Sequence, residues 1–142
     1  MNKRNLIFSI IALISVISLV LFFKNQAIEK IEPIYLYSPQ PHEVIKSPLI
    51  VKGKARGTWF FEGDFPVVLT NWDGLIISEG IATAQSDWMT EDFVPFKATL
   101  KFDNEGAYSN RGSLILIKDN PSGLPEHDDA LEIEVVIENE DK

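Results

Sequence analysis

The chain has 142 residues, 45% of them hydrophobic, and its 21 acidic and 13 basic residues give a net charge of −8. This length suits one domain with its own core. An acidic surface repels phosphate backbones, which argues against a nucleic-acid partner. Cysteine is absent, which excludes disulfides, thiolate nucleophiles, zinc knuckles and cysteine-linked lipids. The fold must therefore rest on packing alone.

The first residues of the chain predict a membrane anchor. Residues 6–23, LIFSIIALISVISLVLFF, are 18 residues without a charge, and as a helix they would span roughly 27 Å, close to the hydrocarbon thickness of a bilayer. Lys3 and Arg4 precede this stretch, which favours a cytoplasmic location for residues 1–5. A cleaved signal peptide is the alternative, although the following KNQAIEK lacks a small-residue cleavage pattern. We expect a single-pass cell-membrane protein whose C-terminal domain is extracytoplasmic.

The rest of the chain predicts an all-β domain. Residues 24–33 form a short polar tether, residues 34–138 contain β-branched and aromatic runs broken by turn residues, and residues 139–142 form an acidic tail. No long stretch has the 3.6-residue period of a helix. About seven short strands separated by turn signals are typical of an immunoglobulin-like antiparallel β-sandwich. The predicted strands are residues 34–37, 49–55, 67–72, 75–84, 96–102, 113–117 and 131–137.

Two turn signals constrain the arrangement of these strands. Asp73-Gly74 lies between two apolar runs and suits a type I′ hairpin turn, in which both central residues have positive φ. Pro39, Pro41 and Pro48 follow the first predicted strand and prevent regular pairing there. This pattern favours an edge strand that crosses from one sheet to the other.

The aromatic side chains are the first candidates for a contact surface. Trp59 and Phe61 lie in the run WFFEGD, where successive strand side chains would point in opposite directions, so one aromatic should be more exposed than the others. With Glu62 they would form a platform for a sugar ring or a partner protein; the alternative is a core tryptophan between sheets. Trp72 and Trp88 are further candidates, each of which could instead cover a loop.

The segment DNPSGLPEHDD, residues 119–129, which follows Lys118, is the second candidate. Pro121 and Pro125 restrict φ at two positions and Gly123 permits a turn between them, so we expect a stiff loop between the last two strands. Stiffness lowers the entropic cost of binding a partner, and it serves equally to fix strand register. The loop residues included in the predicted interaction surface are Asn120, Pro121, Ser122, Gly123 and Asp128.

We expect no enzyme activity, no cofactor and no bound metal. The acids of the 118–129 loop lack the regular spacing of a calcium loop, and His42 and His127 are the only histidines available for zinc. Glu62 and Asp64 would need a defined separation across a cleft to act as acid and base. Nucleophile elbows, P-loops and Gly-rich dinucleotide turns are missing from the sequence. The remaining classes are a non-catalytic interaction module and a wall-glycan-binding domain.

Four stretches, in this order, resemble one bacterial family. They are SPLIVKGKARGTWFFEGDFPVVL at 47–69, the Asp73-Gly74 turn, DWMTEDFVPF at 87–96 and DNPSGLPEHDD at 119–129. Together they resemble the immunoglobulin-like domain of bacterial spore germination over residues 34–137. The resemblance implies a sandwich fold without recognised catalytic residues, placed outside the cytoplasmic membrane. The partner would be an envelope protein or the cell-wall glycan.

Overall fold

The computed structural model describes residues 2, 8, 12–18, 32–103 and 108–138. The chain divides into two units, Met1–Glu32 and Pro33–Lys142. In the first unit, residues 12–18 are helical. Among the described residues, no helix has the length and apolar character needed to cross a membrane. Most of the predicted anchor and tether, together with the acidic tail 139–142, lies outside the described residues.

The second unit is built from β-strands, as the sequence predicts. Its described residues form eight strands: β1 Ile34–Ser38, β2 Val44–Ile45, β3 Leu49–Arg56, β4 Asp64–Asn71, β5 Ile76–Ala84, β6 Phe93–Leu100, β7 Arg111–Ile117 and β8 Ala130–Ile137. Two short 3₁₀ helices, Gly57–Trp59 and Pro125–His127, lie in the connections. The all-β prediction is therefore confirmed for this unit.

Alternating burial explains why the runs of this unit form strands. In β3 the side chains of Leu49 and Val51 are buried, while Ile50 and Lys52 are exposed. In β6 every second residue from Val94 onward is buried. A period of two is the period of a strand with one wet face.

The eight strands form one hydrogen-bonded sheet with the order β1-β3-β6-β5-β4-β7-β8-β2. All neighbouring pairs are antiparallel except β2 and β8, which are parallel. The β5 and β6 ladder has only two registered pairs, Thr83 with Lys97 and Ala84 with Phe96. The two layers of the predicted sandwich are therefore joined into one sheet through this short ladder, instead of being separate sheets.

The sheet folds over so that its two halves pack against each other. Phe65 of β4 and Phe96 of β6 have ring centroids 5.0 Å apart, although β5 lies between their strands in the sheet order. Two steps across a flat sheet would separate the strands by roughly 10 Å. The buried hydrophobic residues form one cluster that runs from Ile34 to Ile137. The second unit thus contains its own complete core.

All seven predicted strands are present, with shifted ends. The largest shifts are the starts of β4 and β6, which begin at Asp64 and Phe93. The strand that the sequence did not predict is β2, whose two residues pair with Val136 and Ile137. The prolines have the predicted effect, because β1 lies at one edge of the sheet and β2 at the opposite edge. The chain crosses between the layers in the residues between these strands.

Candidate functional site

The hairpin turn between β4 and β5 places one tryptophan on the surface. Asn71 Oδ1 accepts hydrogen bonds from the backbone N–H groups of Asp73 and Leu75, both at 3.0 Å. The N–H of Gly74 donates to Asn71 O at 3.1 Å. These bonds close the turn and leave Trp72 at its tip, 47% exposed.

The hairpin was predicted correctly, but its turn type was not. Gly74 has a φ of 77°, whereas Asp73 does not have a positive φ, so the turn is not type I′. The register shifts by one residue between Leu69 and Thr70. A short turn followed by a left-handed glycine and a bulge is the second common way to close a hairpin. Asn71 explains the choice, because its side chain satisfies two turn N–H groups that a type I′ turn would leave to other partners.

Trp72 meets a second exposed aromatic side chain. The ring centroids of Trp72 and Tyr108 lie 5.5 Å apart with an interplanar angle of 53°. Tyr108 precedes β7 and is 91% exposed. Tilted aromatic pairs at this separation attract each other. The pair forms an aromatic border beside the start of β7.

An ion pair lies next to this aromatic border. Arg111 Nη2 donates to Glu134 Oε1, across from β7 to β8. The hydrogen bond from Arg111 and its positive charge hold the pKa of Glu134 below its ordinary value, and the same contact raises the pKa of Arg111. His42 adds a second contact, with Nδ1 at 3.8 Å from Glu134 Oε2 and its backbone N–H bonded to Glu134 O at 2.7 Å.

The aromatic pair and the Arg111–Glu134 ion pair border an open groove of about 350 Å³, which we call the Trp72 groove. Its described lining residues are Asn71, Trp72, Tyr108, Ser109, Arg111, Gly112, Ser113 and Glu134. Gly112 is required at the base of this region, because a Cβ there would lie 2.5 Å from Thr70 O and 2.7 Å from Ile137 Cδ1. The volume is within the range of small-ligand sites. The groove offers aromatic faces, a guanidinium donor and a carboxylate acceptor to a bound group.

The other two tryptophans are less accessible. Trp59 is 1% exposed and packs edge-to-face on Phe65 with centroids 5.7 Å apart. The alternative of a core tryptophan is therefore correct for Trp59, and its assignment to the interaction surface is wrong. Trp88 is partly buried against the core, and its indole lies 3.3 Å from where a Cβ on Gly63 would be. Trp72 is thus the most exposed of the three.

The WFFEGD run confirms the expectation of one exposed aromatic. Phe60 is 4% exposed and Phe61 is 44% exposed. Phe61 and Asp64 exchange two backbone hydrogen bonds, at 3.0 and 3.1 Å, around Glu62 and Gly63, whose φ values are 51° and 86°. Positive φ at both central residues is the type I′ geometry. The chain therefore adopts this turn at Glu62-Gly63 instead of at Asp73-Gly74.

The 118–129 loop is stiffened by bonds between its own side chains. Asn120 Nδ2 donates to Leu124 O at 2.8 Å and to Asp128 Oδ1 at 2.7 Å. Ser122 Oγ donates to Asn120 Oδ1 at 2.5 Å and lies 3.1 Å from His127 Nδ1. The polar atoms of the predicted contact residues in this loop thus satisfy each other. This supports the structural role of the loop, namely holding β7 and β8 in register.

The structure separates the predicted contact residues into two groups. Trp72 follows the end of β4, whereas Phe61 and Glu62 precede its start, and a strand of eight residues separates its ends by roughly 26 Å. The 118–129 loop belongs to the second group, since Asp119 N donates to Trp59 O at 3.0 Å. Trp88 lies beside Gly63 in this same group. A single surface therefore cannot include all the predicted residues.

The acidic side chains considered for metal binding and acid-base chemistry occupy different environments. Within residues 32–103 and 108–138, no three His, Asp or Glu side chains lie close enough together to hold a metal ion. Glu62 is exposed in its turn. Asp64 Oδ1 is shielded from solvent and has no hydrogen-bond partner among the described residues. Both residues belong to one tight turn, in which Glu62 is a central residue and Asp64 the last.

Sequence reasoning missed several residues of the Trp72 groove. Tyr108, Arg111 and Glu134 are all far from Trp72 along the chain. Strand register brings them together, because Asn71 pairs with Gly112 and Ser113 pairs with Glu134. The sequence indicated one side of this site, because it predicted the hairpin that has Trp72 at its tip. The residues of the opposite side could be predicted only with knowledge of which strands pair with β4 and β7.

Comparison with known families identifies the domain. Searches of curated proteins and of solved structures each found no significant match. The family model for the immunoglobulin-like domain of bacterial spore germination matches residues 34–123, which are 90 of the 142 residues. The match ends within the β7–β8 loop, so β8 lies beyond it although it completes the sheet. The chain belongs to the family of immunoglobulin-like domains of bacterial spore germination.

Proposed function

We propose that this protein is a non-catalytic interaction module of the bacterial cell envelope, anchored in the cytoplasmic membrane by residues 6–23. The domain would lie outside the membrane and bind another envelope protein. Family membership supports a contact-making role related to sporulation or germination. The uncharged 18-residue stretch and its preceding basic residues support the anchor.

The Trp72 groove is the observation that carries this proposal. Exposed tryptophan and tyrosine with an adjacent arginine are the residue types that dominate binding energy in protein interfaces. Trp72 and Tyr108 are both exposed and already in contact, so a partner would meet a partly ordered surface. Less side-chain entropy is lost on binding when the contact residues are ordered beforehand.

Site-specific photocrosslinking in cells tests the protein-partner proposal. A photoreactive residue at position 72 should give a discrete crosslinked product, and the same residue at Ile81, which is 53% exposed on β5, serves as the control. Tyr108→Ala should reduce the product at position 72 because it removes the native ring of the aromatic border that the photoreactive residue leaves in place. Equal products from positions 72 and 81 would contradict a partner at the Trp72 groove.

Binding of cell-wall glycan is the second candidate, favoured by the same aromatic pair. Flat aromatic faces beside a carboxylate and a guanidinium suit a sugar ring with hydroxyl groups at its edge. The test is co-sedimentation of the protein with purified, protein-free wall sacculi, with and without calcium. Sedimentation that Trp72→Ala abolishes would favour glycan, whereas no sedimentation would leave the protein partner.

The proposed location is tested separately by protease shaving of intact cells. An extracytoplasmic domain should be digested before the cells are lysed, while a cytoplasmic control protein should survive. A domain that resists digestion until lysis would overturn the anchored topology.

A further inference from the structure

The outward surface of β1, β3 and β6 has a charge opposite to that of the whole protein. These strands contain four basic residues and no acidic one, with the sequences IYLYS, LIVKGKAR and FVPFKATL. Alternating burial directs all four bases away from the core. The whole chain, by contrast, has a net charge of −8. We call this surface the basic face; its residues are Tyr35, Tyr37, Lys52, Lys54, Arg56, Phe93 and Lys97.

The cations of the basic face are not neutralised by neighbouring acids. In the part of the chain that the structure describes, the close contacts between basic and acidic side chains are those of His42, Lys46 and Arg111, and none involves a base of this face. Lys52 is registered directly opposite Lys97. Like charges directly opposite in an antiparallel pair destabilise a sheet. Residues that lower the stability of a fold and have no oppositely charged neighbour are typical of a functional surface.

Aromatic rings hold two of these cations in place. Lys54 Nζ lies 5.1 Å from the ring centroid of Tyr35 and 4.8 Å from that of Phe93. The guanidinium of Arg56 lies 4.0 Å from the Phe93 centroid, and the Tyr35 and Phe93 rings are 5.3 Å apart. Cation–π contacts at such distances are attractive. They orient the charges on the face without cancelling them.

We propose that the basic face binds the surface of a bilayer containing anionic phospholipids. Charge complementarity supports this occupant, since exposed lysines near an anionic membrane are attracted to its headgroups. The interleaved tyrosines support it as well, because tyrosine is enriched at the membrane–water interface. The proposal rests on the membrane-anchored module proposed above. In that module the tether, residues 24–33, is at most about 35 Å long when fully extended. Such a tether keeps the domain near the lipid surface.

Vesicle co-sedimentation of residues 33–142 tests the proposal without the anchor. This unit contains the complete buried core, so it can be examined alone after its circular dichroism confirms a β-sheet spectrum. It should sediment with vesicles of phosphatidylglycerol and phosphatidylcholine and not with vesicles of phosphatidylcholine alone. High salt should reverse the binding, because screening weakens contacts between exposed charges. Equal binding to both kinds of vesicle, or none to either, would overturn the proposal.

A matched pair of double variants separates the basic face from net charge. Lys52→Gln with Lys97→Gln should lower vesicle affinity by about thirtyfold, whereas Lys46→Gln with Lys118→Gln, which removes the same charge elsewhere, should change it little. The face variant should also unfold at a Tm no lower than that of the wild type, because it relieves the repulsion between opposed lysines. Equal losses of affinity in both variants would overturn the assignment to this face.

A competition experiment distinguishes lipid from other polyanions. Soluble polyphosphate at the same phosphate concentration as the vesicles should compete weakly. Full displacement of the domain from the vesicles would overturn the lipid assignment in favour of an anionic polymer. Failure of the vesicle tests would leave crosslinking at position 72 unaffected, so failure of the lipid proposal can be distinguished from failure of the proposed function.

Discussion

Arg111 and Glu134 form an ion pair between β7 and β8, beside the aromatic rings of Trp72 and Tyr108. Glu134 is registered opposite Ser113, so the ion pair is a diagonal contact across the two strands. The backbone carbonyl of Glu134 accepts a hydrogen bond from the N–H of His42. The pair thus connects the start of β7, the middle of β8 and the crossing segment after β1.

This ion pair predicts a pH dependence of stability. Arg111 lowers the pKa of Glu134 from its ordinary value of 4.5, so the unfolded state binds a proton at higher pH than the folded state does. The contribution of the ion pair to the free energy of unfolding is therefore fully present above pH 4.5, and it is lost as the pH falls through the lower pKa that Glu134 has in the folded state. The wild type should be more stable than Glu134→Gln at neutral pH, with the difference shrinking in acid.

Urea denaturation of both proteins at neutral and acidic pH measures this difference. Because both side chains are well exposed, we expect a small effect. Glu132→Gln is the control, since Glu132 lies on β8 two residues away and is not in an ion pair among the described residues. A stability difference for Glu134→Gln that stays constant with pH would contradict the assignment.

The two tryptophans nearest to β4 should respond oppositely to truncation. Trp59→Ala removes a fully buried ring from the aromatic cluster around Phe65, and it should lower the free energy of unfolding by about 3–5 kcal/mol. Trp72→Ala removes an exposed ring in contact with Tyr108, and it should cost less than about 1 kcal/mol. Urea denaturation monitored by circular dichroism gives both values. Comparable losses would show that Trp72 is structural, and would weaken its use as a binding probe.

The type I′ turn at Glu62-Gly63 offers a stabilising substitution. Glu62 has a φ of 51°, a left-handed conformation that asparagine adopts more readily than glutamate. Glu62→Asn should raise the free energy of unfolding by about 0.5–1 kcal/mol, part of the cost of a left-handed residue. Asp73→Asn is the matched control, because Asp73 does not have a positive φ and should gain little. An equal gain at both positions would argue against backbone strain as the cause.

Much of the fold follows from local patterns in the sequence. The alternation in β3 and β6 and the prolines after β1 correctly predicted the strands and the edge position of β1. The parallel strand β2 was not predictable, because two residues have no measurable period. The type I′ turn was assigned to the wrong pair of residues. Glu62-Gly63 adopts it without the Asn or Asp that usually marks this turn. At Asp73-Gly74, the hydrogen bond from Asp73 N to the side chain of Asn71 favours a different turn.

The surfaces depend on register, which the sequence pattern does not specify. Lys52 and Lys97 are 45 positions apart in the chain and become direct neighbours through the β3–β6 ladder. Trp72 and Tyr108 likewise meet only once β4 and β7 are paired. A net charge of −8 describes the average surface, and this average conceals a face whose strands have no acid. The negative net charge therefore does not exclude phosphate-bearing partners from the basic face.

The stiffness of the 118–129 loop can be tested at Asn120. Its side-chain amide donates to Leu124 O and Asp128 Oδ1, and its Oδ1 accepts from Ser122, so Asn120→Ala removes three bonds at once. Each exposed bond contributes little, and the expected loss in the free energy of unfolding is about 1–2 kcal/mol. The amides of the loop should also exchange faster, because local opening costs less free energy. Hydrogen–deuterium exchange of the loop measures this directly.

Glu126→Ala provides the control for the loop, because Glu126 lies in the exposed 3₁₀ helix Pro125–His127 of the same loop and makes no hydrogen bond among the described side chains. Faster exchange in Asn120→Ala alone would show that the asparagine network orders the loop. Since Lys118 N donates to Asp129 O at 2.9 Å, exchange should remain slow at the strand ends if the loop opens without separating β7 from β8. Equal exchange in the wild type and both variants would show that Pro121 and Pro125 restrict the loop sufficiently by themselves.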